Sequence, residues 1–255
     1  MKTLLIGLIV CSYFNVSIAI AKELKFSMLE GSEAQNIALC VVQEAYKSIG
    51  ITTIFKKYPT SRSFMIANKG YSDGETSRIA AISKKYKNLI MIPIPTIYMK
   101  GMAYTKTIED FTPNGFKSLS PYQVIINHGA QFAKIGVEGL PSVYKVNNYQ
   151  SAFKMLDVGR GDFVVAPYSN GVGLLRQLNI LHINPLNPPL IEIPMYHFLH
   201  KKNVSLVPSV QEALMKMEAS GRIEKIYDGY LKNLKDKTNT FNFDNKHGAH
   251  VPCPK

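Results

Sequence analysis

Two arginines stand among hydroxyls in the first third of the chain, in Tyr58-Pro59-Thr60-Ser61-Arg62-Ser63 and Asp73-Gly74-Glu75-Thr76-Ser77-Arg78. A guanidinium presents a planar fork of N–H donors that meets a carboxylate in two parallel, charge-assisted hydrogen bonds. With hydroxyls and a turn at the ends of predicted strands, these segments are equipped to grip a small anionic ligand. No matching nucleophile or base accompanies them. The chain has no G-x-S-x-G, no glycine-rich phosphate loop and no H-E-x-x-H. A carboxylate pair drawn from Glu75 and Asp162 falls in different halves of the sequence. The reading is a binding protein with no cofactor, and the rival, less favoured, is an enzyme on the same fold. For Arg78 the plain alternative is an ion pair with Glu75.

Other residues suit a binding cleft. Tyr58, Tyr98, Tyr168 and Tyr196 lie at predicted strand ends, and tyrosine combines a flat apolar face with a hydroxyl. Gly129 opens a predicted helix, where free N–H groups attract anions. Glu30 offers an acidic anchor, or simply favours the start of the following helix through its dipole. The tail carries His247, His250 and Cys253 at three-residue spacing, which suits a soft metal. The surrounding Gly, Pro and Asn deny it rigidity, so no metal site is assigned there. His197 and His200 differ by three on a predicted strand and face opposite sides, which makes a poor ligand pair.

These side chains are positioned by alternating strands and helices. Residues 24–29 alternate as a strand, and Ser32 is a plausible cap for a helix whose stripe Ile37, Val41, Ala45 and Ile49 ends at Gly50. A β-branched strand over 51–57 and a helix over 62–68 follow. A strand spans 88–94, and 96–105 is extended. The second half repeats the rhythm, with strands at 122–127, 142–146, 162–166 and 190–199 and helices from Ala130 and over 149–158 and 170–178. Helices over 210–218 and from Ile223 close the body. The expected class is α/β with largely parallel pairing. Two extended segments, near 98–106 and 191–200, are suited to cross between lobes.

The N-terminus predicts an export signal. Lys2 precedes an apolar run, and Ala19-Ile20-Ala21 supplies an A-x-A cleavage site after Ala21. Val10 before Cys11 argues against a lipoprotein site. The expected location is therefore the periplasm. The formal charge of +12 rests on scattered lysines with no aromatic-interleaved stripe, so nucleic acid is not the expected partner. Cys40 and Cys253 remain after cleavage. Cys40 lies on the helical pattern, which suits a buried thiol as well as a bridge, so their pairing stays open.

Three motifs in order carry a resemblance. Gly159-Arg-Gly-Asp162 runs into the apolar Phe163-Val-Val-Ala166. Gly221-Arg-Ile-Glu-Lys-Ile226-Tyr227 stands near the C-terminus, and Ile108-Glu-Asp-Phe111 precedes Tyr122-Gln-Val-Ile-Ile-Asn-His-Gly129. In this order they resemble the family 3 extracellular solute-binding proteins of ABC-type uptake systems, over about 24–234. The resemblance implies a type II periplasmic-binding-protein fold, monomeric, with two lobes joined by two crossing strands. Lobe one would comprise 22–103 with 195–235, lobe two 104–194, and 236–255 a flexible tail. A small-molecule ligand would sit between the lobes, in contact with Glu30, Tyr58, Arg62, Arg78, Tyr98, Gly129 and Tyr168. The protein would serve an inner-membrane permease or a sensor receptor. Arg78 aligns with the arginine that clamps a ligand carboxylate in amino-acid-binding members. Pro167 departs from the family, because it stands where those members carry an aspartate for the ligand ammonium. Glu30-Gly31-Ser32 also replaces the usual aromatic wall.

Overall fold

The computed structural model describes residues 23–108, 110–236 and 253–254, with the cleavage signal, His247 and His250 outside them. Strand β1 (Glu23–Leu29) leads to helix α1 (Glu33–Ser48), β2 (Thr52–Tyr58) and α2 (Thr60–Asn68). Ser32 precedes α1 with extended backbone, but its side chain makes no capping bond. The stripe from Ile37 to Ala45 is buried, and Gly50 takes the left-handed φ of 75° that ends the helix cleanly.

The sequence reading assigns no strand over 74–79. The segment is nevertheless strand β3 (Gly74–Ile79), buried along all but its last residue. Such a polar segment can be interior because its side chains find partners there. Thr76 Oγ1 donates to Ser27 O at 2.8 Å, and the Ser77 and Thr96 hydroxyls share a 2.8 Å hydrogen bond. Gly74 is required by close approach: a Cβ there would overlap the Phe198 carbonyl oxygen.

The two expected pieces at 88–94 and 96–105 form one strand, β4 (Leu89–Thr105), whose ladder shifts register around Pro95. Proline has no N–H to donate, so the pairing breaks where the sequence suggested a division. The remaining elements are β5 (Val124–Asn127), α3 (Gln131–Gly136), β6 (Val143–Val146), α4 (Tyr149–Asp157), β7 (Phe163–Pro167), α5 (Tyr168–Gln177), β8 (Asn184–Pro185), β9 (Ile191–His200), α6 (Val207–Ala219) and α7 (Arg222–Lys235). Asn148 caps α4, its Oδ1 accepting from Ser151 N at 2.8 Å.

The strands run in the order β2-β1-β3-β9-β4-β7-β5-β6, with β8 also on β4. β1 pairs in parallel with β2 and β3, and β5 does so with β6 and β7. The antiparallel pair β4–β9 joins these two halves. The apolar core divides in the same place. One cluster holds Phe26, Phe55, Tyr46 and Leu214 beneath α1, α6 and α7, with a smaller group around Phe198 on the opposite face. Beyond Met99 on β4, the second half has its own clusters around Tyr104 and Phe153 and around Phe163 and Ile126. The result is a two-lobed α/β protein with β4 and β9 as crossing strands.

Two interior features tie lobe one together. Cys40, at 1 % exposure on α1, forms a disulfide with Cys253, answering the question its spacing left open. Arg222 fastens the same end: Nε and Nη2 reach the Glu44 carboxylate at 2.7 and 2.8 Å, and Nη2 also donates to Pro254 O at 3.1 Å. Pro254 packs so closely on Gly229 of α7 that a Cβ there would lie 2.7 Å from its ring. Deeper in, fully buried His197 lies 3.2 Å from Thr76 O through Nδ1 and 3.0 Å from Tyr46 Oη through Nε2. These contacts suit the neutral ring, with Nδ1–H donating and Nε2 accepting.

The bridge closes a span of 213 residues, so removing it enlarges the unfolded ensemble. Reduction, or the pair Cys40→Ala and Cys253→Ala, is expected to cost about 2–5 kcal/mol, measured by denaturant unfolding with and without reductant. An unchanged midpoint would show that the bridge contributes nothing. Burial lowers the His197 pKa to about 4. Its unfolded value is near 6.5, so its contribution is present above pH 6.5 and is lost as the pH falls toward 4. Between pH 7 and 5 the loss from this group is about 2 kcal/mol, and His197→Gln is expected to remove that part of the slope.

Candidate functional site

In a parallel βα unit the carboxyl ends of the strands and the first turns of the following helices share one edge. Here that edge carries several of the expected residues. Glu30 follows β1, exposed, with its N–H on Tyr58 O at 3.0 Å. Tyr58 ends β2, and its ring has Lys56 Nζ 5.7 Å and the Arg62 guanidinium carbon 5.9 Å from its centre. Arg62 is exposed. In lobe two, Gly129 follows β5 and Tyr168 opens α5 after β7. The Gly129 N–H is already engaged by Asn127 Oδ1 at 3.0 Å. Tyr168 O accepts from Tyr104 Oη at 2.9 Å, and Lys235 Nζ lies 5.9 Å from its ring. Tyr98 sits apart on β4 opposite Pro194, 48 % exposed. Tyr196 faces Arg78 across the β3–β9 pair.

Arg78 is near the carboxyl end of β3, 6 % exposed. Its Nε donates to Glu75 Oε1 at 2.7 Å, the ion pair that was its alternative assignment. Nη2 lies 2.7 Å from the same oxygen without an N–H aligned on it, which leaves a buried donor without an acceptor among the described residues. The Phe64 ring lies 4.5 Å from the guanidinium, and Tyr86 stacks on Phe64. Ser27 and Ser63 both donate to Glu75 Oε2 at 2.6 Å. Burial raises the Glu75 pKa, while the Arg78 charge and the two hydroxyls pull it down. Much of the Arg78 charge is therefore answered inside the protein.

Several polar residues at this edge carried no sequence signal strong enough to single them out. Glu33 Oε2 accepts from Tyr230 Oη at 2.6 Å and from Asn36 Nδ2 at 3.0 Å. Lys57 is half-buried; burial lowers its pKa against the opposing charges of Glu33 and Glu30. Gln35 Nε2 donates to Ser77 O at 2.6 Å. The side-chain oxygens of Gln35, Asn36 and Asn170 are buried with no partner among the described residues. Polar Gln35 and Asn36 directly before the apolar run Ile37 to Val42 were the available clue. The lobes meet here as well. Asn170 Nδ2 of α5 donates to Gly31 O at 3.3 Å, and Gly173 faces Glu33. A cavity of about 440 Å³ beside the crossing strands is lined by Lys100, Met102, Tyr168, Tyr227 and Lys232, among others. It shares only Tyr168 with the expected set. Among the described residues no group of three or more His, Cys, Asp or Glu could hold a metal, and Cys253 is spent in its disulfide.

No known family profile and no curated protein sequence matches the chain. Solved structures do. The ligand-binding core of GluR0 in complex with L-glutamate is 13 % identical, with a TM-score of 0.67 over 84 % of this chain and 99 % of that one. A histidine kinase sensor domain similar to periplasmic binding proteins is 14 % identical, with a TM-score of 0.62 over 83 % and 96 %. An ancestral arginine-binding protein bound to arginine is 18 % identical, with a TM-score of 0.61 over 82 % and 97 %. At such identities the likeness speaks for architecture alone: the chain has the two-lobed periplasmic-binding-protein fold.

Proposed function

We propose that the protein is an extracytoplasmic solute-binding protein that captures a small polar or anionic ligand between its lobes and delivers it to an ABC-type importer. The observation that carries this is the meeting of two polar strand edges, joined through the β4–β9 pair and touching where Asn170 of α5 reaches Gly31. Ligand contacts made to both lobes at once shift an open–closed equilibrium toward the closed form. Glu30, Tyr58, Arg62 and Arg78 contribute from lobe one, Gly129 and Tyr168 from lobe two, and Tyr98 from a crossing strand. The unaligned Nη2 of Arg78 is what keeps that residue in the set. In this reading the protein acts as a monomer and carries out no catalysis.

Pro167 ends β7 where amino-acid binders place an aspartate. A buried ammonium without a partner costs several kcal/mol, against the roughly 8 kcal/mol of a micromolar ligand. A standard α-amino acid is therefore disfavoured unless Glu30 turns inward. A second reading, in which the closed form is presented to a membrane receptor, is supported by the likeness to the kinase sensor domain.

A thermal-shift screen against amino acids, dicarboxylates, peptides and polyamines identifies the ligand class, and calorimetry then measures affinity. Micromolar binding of glutamine, histidine or arginine would refute the exclusion of amino acids. Arg62→Ala is expected to weaken the ligand by about 1–3 kcal/mol, the scale of a charged hydrogen bond. Arg78→Ala is expected to destabilise the fold by about 3–5 kcal/mol, because it strands Glu75 in the interior. The pair Glu75→Gln with Arg78→Met recovers most of that stability. If the pair also restores full affinity, Arg78 is structural; if affinity stays down by about 2–5 kcal/mol, Arg78 touches the ligand.

A further inference from the structure

The end of lobe one opposite the ligand edge has a different character. Lys69, Lys87, Lys201 and Lys202 are exposed there, and Lys84 and Lys85 are exposed on the segment that leads to it. The backbone gathers them from three separate segments. Asn88 bonds to Asn68 through its N–H at 3.1 Å and its Nδ2 at 2.9 Å, and the Lys201 N–H bonds to Asn88 O at 2.8 Å. Lys202 Nζ then reaches Gly70 O at 2.8 Å. Among the described residues, the carboxylates of Asp73 and Glu23 are paired with lysines of this end. Asp73 is engaged by the Lys25 N–H at 2.8 Å, by Asn203 Nδ2 at 3.0 Å and by Lys202 at 3.1 Å. Glu23 lies 3.9 Å from Lys25 Nζ. The patch is strongly positive in balance. Two large apolar side chains stand out of it, Tyr71 at 77 % exposure and Val204 at 58 %.

We propose that this end of lobe one docks on a membrane surface carrying anionic phospholipid headgroups. Each of the six charges is a lysine, a point charge on a flexible stem, which suits a fluid array of phosphates better than one fixed acidic geometry. An exposed tyrosine beside them matches the headgroup region, where an apolar ring and a hydroxyl are both accommodated. The chain also enters the described body here. β1 begins at Glu23, and Lys25 is bonded to Asp73 in both directions, at 2.8 and 2.6 Å. Docking leaves the ligand edge turned away from the lipid. The proposal does not depend on which ligand the cleft takes.

The test is sedimentation of the protein as secreted with vesicles of phosphatidylcholine alone or mixed with phosphatidylglycerol. Binding is expected only to the anionic vesicles, and is expected to be lost as salt rises from about 0.05 M to about 0.5 M. Lys84→Glu, Lys87→Glu and Lys201→Glu together are expected to weaken it by about tenfold or more. The same charge change in lobe two, at Lys117, Lys134 and Lys145, is expected to cost far less. Unfolding midpoints of both triple variants check that the exposed substitutions leave the fold intact. Absence of binding, equal binding to both vesicle types, or equal loss in the two triples would overturn the proposal. Capture by immobilised polyglutamate without vesicle binding would do so as well, in favour of an acidic protein partner.

Discussion

The pairing of β4 with β9 is the constraint on which the rest of the molecule depends. It runs from Leu89 opposite His200 to Gly101 opposite Ile191. Each lobe hangs from it by one further strand, β3 on β9 and β7 on β4. The ladder is strongest as a mechanical link and weakest at its prolines, because Pro93, Pro95 and Pro194 offer no N–H. A relative motion of the lobes therefore concentrates its backbone change in a few residues of two strands, while the four apolar clusters move as packed bodies.

The buried polar layer around β3 shows the same economy at the level of side chains. An interior carboxylate is tolerated only when its charge and lone pairs are met. Glu75 has Arg78 on one oxygen and two serine hydroxyls on the other. The arrangement specifies how β1, β3 and α2 sit together, since each supplies a member. It also sets the condition under which Arg78 can serve a ligand: through the donors that Glu75 leaves unaligned. On the other face of the same sheet, His197 stays neutral between Thr76 and Tyr46, so both faces of lobe one use polar groups within an apolar core.

Polar chemistry in lobe one is divided between its two ends. The carboxyl edge mixes Glu30, Glu33, Lys57 and Arg62, where opposing charges limit one another and favour hydrogen-bonding geometry over net field. The opposite end gathers exposed lysines, of which Lys202 is paired with Asp73, and there net field counts for more. The C-terminal residues Cys253 and Pro254 are anchored on the flank between α1 and α7. They brace the lobe without occupying either end.

The alternation of strands and helices, the crossing segments and the stripe of α1 were legible in the sequence, because apolar periodicity and glycine or proline punctuation are local properties. So was the placement of Glu30, Tyr58, Gly129 and Tyr168 at strand exits. Strand β3 was not legible, since Gly-Glu-Thr-Ser-Arg has no apolar face and becomes a strand only when Ser27, Ser63 and Thr96 arrive to satisfy it. The Cys40–Cys253 bridge needed the fold as well, for two cysteines 213 residues apart define no pairing until α1 and the C-terminal residues are packed side by side. The same holds for Lys57, Glu33 and Asn170, whose neighbours come from other segments. Sequence determined the elements with apolar patterns and their order, through patterns of a few residues. Tertiary structure decided which polar groups answer one another, because burial and partner distance are set by residues far apart in the chain.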